Sequence, residues 1–385
     1  QQAAQQQPLA RQQLALMGEA YSHLNETDQA LAAYQAALVL PGAEPGDHAL
    51  QQQISALVRQ QGSPDEIAAA LRALLVYEPE NAALQAELGM LLLASDLEAA
   101  VQALEQAAEL DPAHLPAAEA LRRSLNETEA AGEPAYTLVS AGQALAGLGL
   151  WQQAEQLFER AAALRPDYAE AWAFLGQAQL ASGGSGLAAL EQALLLDPAS
   201  LAGNSLLGLY WLSQGNPGRA LPYLQKAARI EPGNASLRLD LARALALDGD
   251  LAGAQEQLLG AQAAAQSDPV IYRQAALVSL EYNLDVRETA LPAARQAVIL
   301  SGGDAASLDV LAQVYIRLGD LESAQRLLEE ALQGQPGFTA AHLHLGAVYL
   351  LQGNQAQALY HLQTVQTLAP GSREADQAAR LLGSP

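Results

Sequence analysis

The residues in this sequence that are best suited to metal binding or catalysis are six histidines. Three of them lie close together near the C-terminal end. They are His23, His48, His114, His342, His344 and His361. His342 and His344 are two residues apart on a predicted helix, so their side chains point to different faces. His361 lies on the next predicted helix and could approach one of them. A histidine pair without cysteine or carboxylate support is a weak metal signal, and His342 occupies a position where a large packing residue is expected.

Two glycine-rich stretches could be mistaken for phosphate-binding loops. Residues 147–149, GLG, match half of a dinucleotide-binding pattern, but no strand is predicted before them. Residues 183–186, GGSG, have no following lysine. No strand-turn-helix context exists for a catalytic nucleophile, and the acidic residues lie on helix exteriors. The sequence therefore predicts no catalytic residue, no metal site and no cofactor.

The composition restricts the partners that the chain can bind. Of 385 residues, 19 are basic and 42 acidic, which gives a formal net charge of −23. This charge repels nucleic-acid phosphates and anionic lipids, so neither is expected as a partner. There is no cysteine for disulfides or thiolate ligands, and no apolar run of about 18 residues predicts membrane insertion. The start at Gln1 and the lack of cysteine lead us to expect an exported bacterial protein, with the cytoplasm as the alternative.

The elements that carry these residues recur every 34 positions. Residues 305–338 predict two helices with large and small residues at fixed places: Leu308, Leu311, Ala312 and Tyr315 in the first, Gly319 at the turn, Ala324, Leu328 and Ala331 in the second, and Pro336 at the end. The following unit repeats this layout with His342, Leu345, Gly346, Tyr349, Gly353, Ala358, Leu362, Val365 and Pro370. The layout resembles the tetratricopeptide (TPR) repeat.

This resemblance covers nearly all of residues 11–372 and implies an all-α fold. The expected architecture is a right-handed TPR α-solenoid, a superhelix of antiparallel helix pairs. We call the two helices of each repeat the A helix and the B helix. They can pack closely only where small residues lie, which in the last repeat are Gly346 and Ala358.

The pattern divides the chain into five segments. The Gln-rich segment 1–10 is expected to be a flexible lead-in, unless something packs on it. Residues 11–114 form TPR repeats 1–3, residues 115–134 an extra helix that offsets two blocks, residues 135–372 repeats 4–10, and residues 373–385 a C-terminal capping helix. Repeat eight, 271–304, departs most from the pattern, since Glu281 replaces an aromatic residue and Gly302 the terminal proline.

TPR proteins generally bind peptides or helices in a groove that the A helices line, and the resemblance transfers those positions to this chain. We call the thirteen residues chosen there the groove set: Met90, Leu93, Tyr136, Gln143, Leu209, Leu212, Arg243, Tyr272, Tyr282, Gln313, Ile316, Leu343 and Leu350. Arg243 and Gln313 are expected to orient a partner. TPR domains that clamp a carboxylate terminus place Lys, Asn and Arg at such positions, whereas Arg243 is the single cation of this set, so no carboxylate clamp is expected. Two explanations for its apolar character stay open, an apolar partner or packing of these side chains on each other.

The sequence thus favours a non-catalytic scaffold that mediates protein–protein interaction through its concave groove. The first alternative is a structural subunit that stacks head to tail into a filament or ring, because repeat one has no preceding cap. The second alternative, an accessory subunit of an enzyme complex, depends only on the histidines of repeat ten.

Overall fold

The computed structural model describes residues 2–40, 44–128, 132–265 and 267–383. The regular structure of these residues is helical throughout, without a β-strand. The chain forms two compact units, Gln1–Leu196 and Asp197–Pro385. This division falls inside the block 135–372 that the sequence pattern treats as continuous, so the division into two blocks of repeats stays a prediction.

The first unit contains eleven numbered helices among its described residues. They are α1 (Gln2–His23), α2 (Thr27–Val39), α3 (Glu44–Gln61), α4 (Pro64–Leu75), α5 (Ala82–Leu92), α6 (Leu97–Leu110), α7 (Leu115–Thr128), α8 (Pro134–Gly147), α9 (Trp151–Leu164), α10 (Ala169–Ala181) and α11 (Leu187–Leu196). A short 3-10 turn, Pro112–His114, precedes α7. Helix α7 lies where the extra helix is predicted, and packs against both α6 and α8. Residues 129–131 of that predicted segment lie outside the described residues.

The second unit also has eleven numbered helices in its described part. They are α12 (Leu201–Ser213), α13 (Pro217–Ile230), α14 (Ala235–Asp248), α15 (Leu251–Ala265), α16 (Pro269–Glu281), α17 (Leu291–Ser301), α18 (Ala305–Leu318), α19 (Leu321–Gly334), α20 (Thr339–Leu351), α21 (Gln355–Leu368) and α22 (Arg373–Gly383). Within this unit, A helices pack on their own B helices and on neighbouring A helices. Helix α22 lies at the predicted cap, of which residues 384–385 lie outside the described residues.

The hairpins close where a glycine of the A helix meets a large side chain of the B helix. A Cβ atom added at Gly346 would lie 2.7 Å from Leu362, and one added at Gly142 would lie 2.5 Å from Phe158. Because carbon atoms pack about 3.5–4.0 Å apart, a larger residue at either position would push the two helices apart. The close approach expected at Gly346 is confirmed.

The turns between A and B helices require left-handed backbone. Gly319 follows α18 with a φ of 81°, and Gly249 follows α14 with a φ of 93°. Glycine adopts this conformation without steric cost. In the first repeat Asn25 takes the same place with a φ of 60°, and asparagine is one of the few other residues that tolerate it.

The N-terminal segment differs from the flexible lead-in that the sequence suggested. Helix α1 begins at Gln2 and runs without interruption into the first repeat. Glutamine and alanine are both favourable helix formers, so the missing hydrophobic periodicity of residues 2–10 does not prevent helix formation. The A helix of repeat one is consequently longer than its sequence pattern indicates.

Repeat eight departs from the regular turn, in agreement with its irregular sequence. Asn283 and Asp285 both have positive φ values, 53° and 30°. A single π-helical turn, Val286–Ala290, then leads into α17. Inside it, the buried Thr289 hydroxyl accepts a hydrogen bond of 3.0 Å from Gln255 on α15. The irregular turn is thereby fixed to the preceding hairpin.

Candidate protein-binding surface

The structure places the groove set on A helices of both compact units but at different depths. In the first unit, Met90 lies on α5, Leu93 follows α5 directly, and Tyr136 and Gln143 lie on α8. In the second unit, the remaining nine residues lie on α12, α14, α16, α18 and α20 or directly after α16. The two sets are described separately below.

In the first unit, the row of A helices is interrupted beside α5. Arg160 on α9, a B helix, donates hydrogen bonds to the backbone carbonyls of Leu93 and of Ser95, the latter over 2.9 Å. Through these two hydrogen bonds, the B helix α9 contacts the end of α5. Leu93 is fully buried, at 0% exposure. Its predicted role in partner contact is therefore wrong, since no partner can reach its side chain here.

The other groove-set residues of the first unit remain accessible to some degree. Met90 is half-buried against the core. Tyr136 and Gln143 are exposed on α8. Because α9 lies beside the end of α5, these residues are not lined up with Met90 along one uninterrupted row of A helices.

In the second unit, four aliphatic residues of the groove set are accessible. Leu209 is 37% exposed and Leu350 is 36% exposed. Leu212 and Ile316 are half-buried. These four side chains present apolar surface on α12, α18 and α20, as the groove positions require.

Leu343 is the second groove-set residue whose predicted contact role is wrong. Only 4% of its surface is exposed, because it packs in a small core with Ala375 and Ala378 of α22. The terminal helix therefore covers the position that Leu343 would offer to a partner. A cavity of about 290 Å³ remains beside it, lined by Leu343, His344 and Ala347 of α20 and by residues of α22.

The aromatic members of the set belong partly to the core. Tyr272, Tyr282 and Leu212 pack against the main hydrophobic cluster of the second unit. The Tyr272 hydroxyl donates a hydrogen bond of 3.1 Å to the carbonyl of Gln262 on α15. These residues are half-buried by their own unit and still reach the surface. They are therefore compatible both with an apolar partner and with packing of the groove side chains on each other.

Arg243 does not offer a free charge. Its guanidinium donates a hydrogen bond of 2.9 Å to Asp240 one turn earlier on α14. Burial raises the pKa of the Asp240 carboxyl, while the charge and hydrogen bond of Arg243 oppose that shift. Burial and, to a smaller extent, Glu281 raise the pKa of the Tyr282 hydroxyl, and the charge of Arg243 opposes this rise. Arg243 thus compensates a largely buried acid and lies near the end of α16.

Gln313 is likewise hydrogen-bonded to a buried acid. Asp309 on α18 accepts a hydrogen bond of 2.9 Å from Gln313 and one of 2.6 Å from the Nδ1 atom of His344 on α20. Burial disfavours the charged imidazole, but the charge and hydrogen bond of Asp309, with a smaller contribution from Glu374, raise the pKa of His344. This network joins the A helices of repeats nine and ten.

The remaining histidines of repeat ten form a second buried pair. His342 Nε2 donates to the carbonyl of Pro336 over 3.0 Å, so its Nδ1 atom can accept from His361 Nδ1 over 2.9 Å. Burial and then the neighbouring His342 lower the pKa of His361 to about 4. The approach of His361 to His342 and the packing role of His342 are confirmed. Nowhere in the described parts of the chain do three His, Cys, Asp or Glu side chains gather closely enough to hold a metal ion.

Sequence models of the tetratricopeptide repeat match residues 13–47, 90–114, 139–184, 184–235, 212–277 and 310–373. Together these matches cover more than half of the chain. The chain belongs to the tetratricopeptide repeat family. The predicted all-α TPR solenoid is confirmed, and its repeats support a protein-interaction scaffold in general terms. None of the described helices combines the length and apolar character that a membrane span requires.

Solved structures share this TPR fold at low sequence identity. Yeast Tom70 is 15% identical, over 96% of this chain and 94% of that chain, with a TM-score of 0.50. The human IFIT1 dimer is 17% identical, over 87% and 80%, with a TM-score of 0.50. A tetratricopeptide repeat protein from Parabacteroides merdae is 12% identical, over 65% and 99%, with a TM-score of 0.51. No match was found among curated proteins.

Sequence reasoning did not predict that the polar residues of the groove set would pair with buried acids. Asp240 and Asp309 lie on A helices and are largely buried. Asp309 occupies the fifth position of its repeat, where the other repeats of this unit place Ser205, Leu239, Ala275 and Leu343. An acid at a position where the other repeats of the unit carry no charged residue signals a buried partner, and this signal was available in the sequence.

Proposed function

We propose that this TPR chain is a non-catalytic scaffold that binds an apolar protein segment on the A helices of the second unit. The observation that carries this proposal is the set of accessible aliphatic side chains Leu209, Leu212, Ile316 and Leu350. An apolar helix or extended segment suits such a surface.

The electrostatics of the same surface support an uncharged partner segment. The chain carries a net charge of −23, yet the acids Asp240 and Asp309 are each paired within their own unit, with Arg243 and with His344. A partner that covers this surface does not have to leave a buried carboxylate unpaired, which would be costly. Arg243 and Gln313, which are already hydrogen-bonded, would then act mainly by fixing the surface rather than by contacting the partner.

The test is a paired truncation of Leu209 and Leu212 to alanine. Each truncation removes about three carbon groups worth roughly 0.8 kcal/mol apiece when fully buried. Both side chains are already partly buried in the free chain, so a partner would gain only the remainder. We expect peptides selected from a display library on the intact chain to bind the variant roughly 5–30-fold more weakly, which corresponds to about 1–2 kcal/mol.

The matched control truncates two exposed aliphatic residues on B helices, Leu259 and Ile299. We expect this control to bind the selected peptides like the unaltered chain. Equal loss in both variants, or no loss in either, would refute binding at the A helices.

A second candidate is head-to-tail self-assembly through the first repeat. The A helix α1 leaves Leu16 and Met17 exposed, at 64% and 47%. Exposed apolar side chains at one end of a repeat array favour contact with another copy. Filaments or rings in electron micrographs of the purified chain support this candidate, and a strict monomer at high concentration removes it.

A further inference from the structure

The outer face of the last B helix, α21, differs from that of the B helix before it. Residues 355–368 contain no Asp, Glu, Lys or Arg, and their single histidine, His361, is buried. On α19, the positions 34 residues earlier carry Glu322, Arg326, Glu329 and Glu330. On α21 these positions carry Ala356, Tyr360, Gln363 and Thr364. Four charges of one repeat are thus replaced by neutral residues in the next.

This neutral face includes accessible apolar side chains. Tyr360 is 61% exposed and Leu359 is 45% exposed. The Tyr360 ring also contacts the buried His361 ring edge to face, with centroids 5.0 Å apart. This contact orients the tyrosine before any partner arrives, which lowers the entropy lost on binding.

Covering the polar groups on the outer face of α21 costs little free energy. The hydroxyl of Thr364 donates to the carbonyl of Tyr360 over 2.8 Å, and that of Thr367 donates to the carbonyl of Gln363 over 3.0 Å. Both donors therefore keep their hydrogen bonds when water is excluded, and the usual penalty for burying an unpaired donor does not arise. Gln363 offers both a donor and an acceptor to a facing helix.

We infer that the outer face of α21 binds the same face of a second copy of this chain, in an antiparallel helix pair related by two-fold symmetry. The charge decides in favour of a second copy. Each copy carries a net charge of −23, so two copies repel wherever their acidic surfaces meet, and a neutral face lets them approach. A basic partner would instead be attracted by carboxylates such as those that α19 retains.

The expected association is weak. A single pair of helices of this length buries less than the roughly 1,200 Å² of a stable interface. We therefore expect a monomer–dimer equilibrium, measured by sedimentation velocity, whose average mass rises toward twice the monomer mass with concentration. The dimer should tighten as salt rises, because salt screens the repulsion between the two acidic copies. An interface held by opposite charges would weaken instead.

The decisive variant is Tyr360→Glu, which places a carboxylate on each side of the two-fold axis. We expect it to remain monomeric at concentrations where the unaltered chain dimerises. Gln333→Glu, on the exposed face of α19, adds the same charge one repeat away and should leave the dimer intact. Circular dichroism checks that both variants stay folded, and Leu359→Ser, which adds no charge, serves as a second disrupting variant.

Three outcomes would overturn the inference. The first is a monomer at all concentrations, and the second is a dimer that persists in both Tyr360→Glu and Leu359→Ser. The third is a dimer that Met17→Glu abolishes and Tyr360→Glu does not, which would place the contact on α1. None of these results bears on peptide binding at Leu209 and Leu212, so the proposed function is tested separately.

Discussion

Replacing Gly186 with alanine should open the hairpin of α10 and α11. Gly186 lies directly before α11, and a Cβ atom there would overlap the carbonyl group of Gly176, 2.7 Å from its carbon. Since carbon atoms pack about 3.5–4.0 Å apart, the two helices would have to separate by roughly 1 Å. A backbone carbonyl cannot rotate away as a flexible side chain can. The Leu190 side chain, which fills the space beside Gly176, would lose contacts as the helices part.

The expected loss of stability follows from two opposing contributions. Overpacking of this kind costs about 1–3 kcal/mol, and the rigid obstacle favours the upper end. Alanine recovers about 0.4–1 kcal/mol because it restricts the unfolded chain. We therefore expect a net loss of about 2 kcal/mol in the free energy of opening α10 and α11. Hydrogen exchange measures it locally, which suits a repeat array that need not unfold in one step.

The control is Gly147→Ala at the exposed end of α8. No atom lies within 4 Å of a Cβ placed at Gly147, so helix propensity dominates and we expect about 0.5 kcal/mol of stabilisation. Unchanged protection of α10 and α11 in the Gly186→Ala variant would refute the packing of this hairpin. So would a loss of equal size in both variants.

Two further predictions concern a turn and a buried histidine. Asn25→Gly should raise the thermal unfolding midpoint, because glycine removes the backbone strain of the left-handed conformation, a gain of up to about 1 kcal/mol. Gly319→Ala should lower the midpoint for the same reason. A lower midpoint for Asn25→Gly would contradict this prediction. His361 has a pKa lowered to about 4, below its ordinary value, so the unfolded chain takes up a proton first. The contribution of His361 to the stability of α20 and α21 should therefore fall by roughly 2 kcal/mol from pH 7 to pH 4.5, measured as the difference between the unaltered chain and the His361→Asn variant, because the raised pKa of His344 on α20 acts in the opposite direction in both. His361→Asn, which keeps a donor toward His342, should lose this acid sensitivity, and equal sensitivity in amide protection would show that another group is responsible.

The sequence predicted the repeated architecture because that architecture depends on local size patterns. Gly346 and the turn at Gly319 follow from the spacing of large and small residues within a repeat of 34. Such a pattern predicts which residues must approach each other, and the structure agrees at both positions.

The depth of individual groove positions could not be predicted in the same way. Leu343 is buried because α22 continues the row of A helices beyond the last repeat. Leu93 is buried where Arg160, 67 residues later in the chain, binds its carbonyl. Both depend on contacts between elements that the periodicity of a single repeat does not determine.

The polar network around Asp309 was not predicted from the sequence, for a different reason. Asp309 and His344 are 35 residues apart, about one repeat, so equivalent positions on adjacent A helices could have suggested their contact. The sequence interpretation considered His344 only as a weak candidate for a metal ligand. An acid among uncharged equivalents was the stronger signal.

The most direct test of the scaffold function is site-specific photo-crosslinking along the A helices of the second unit. A photoreactive residue would replace Leu209, Leu212 or Ile316 in turn, with Leu259 and Ile299 on B helices as matched controls. We predict that bound peptides crosslink from the A-helix positions and not from the controls. Crosslinks of equal yield from the B helices, or none from the A helices while the peptide remains bound, would contradict an apolar binding surface on the A helices.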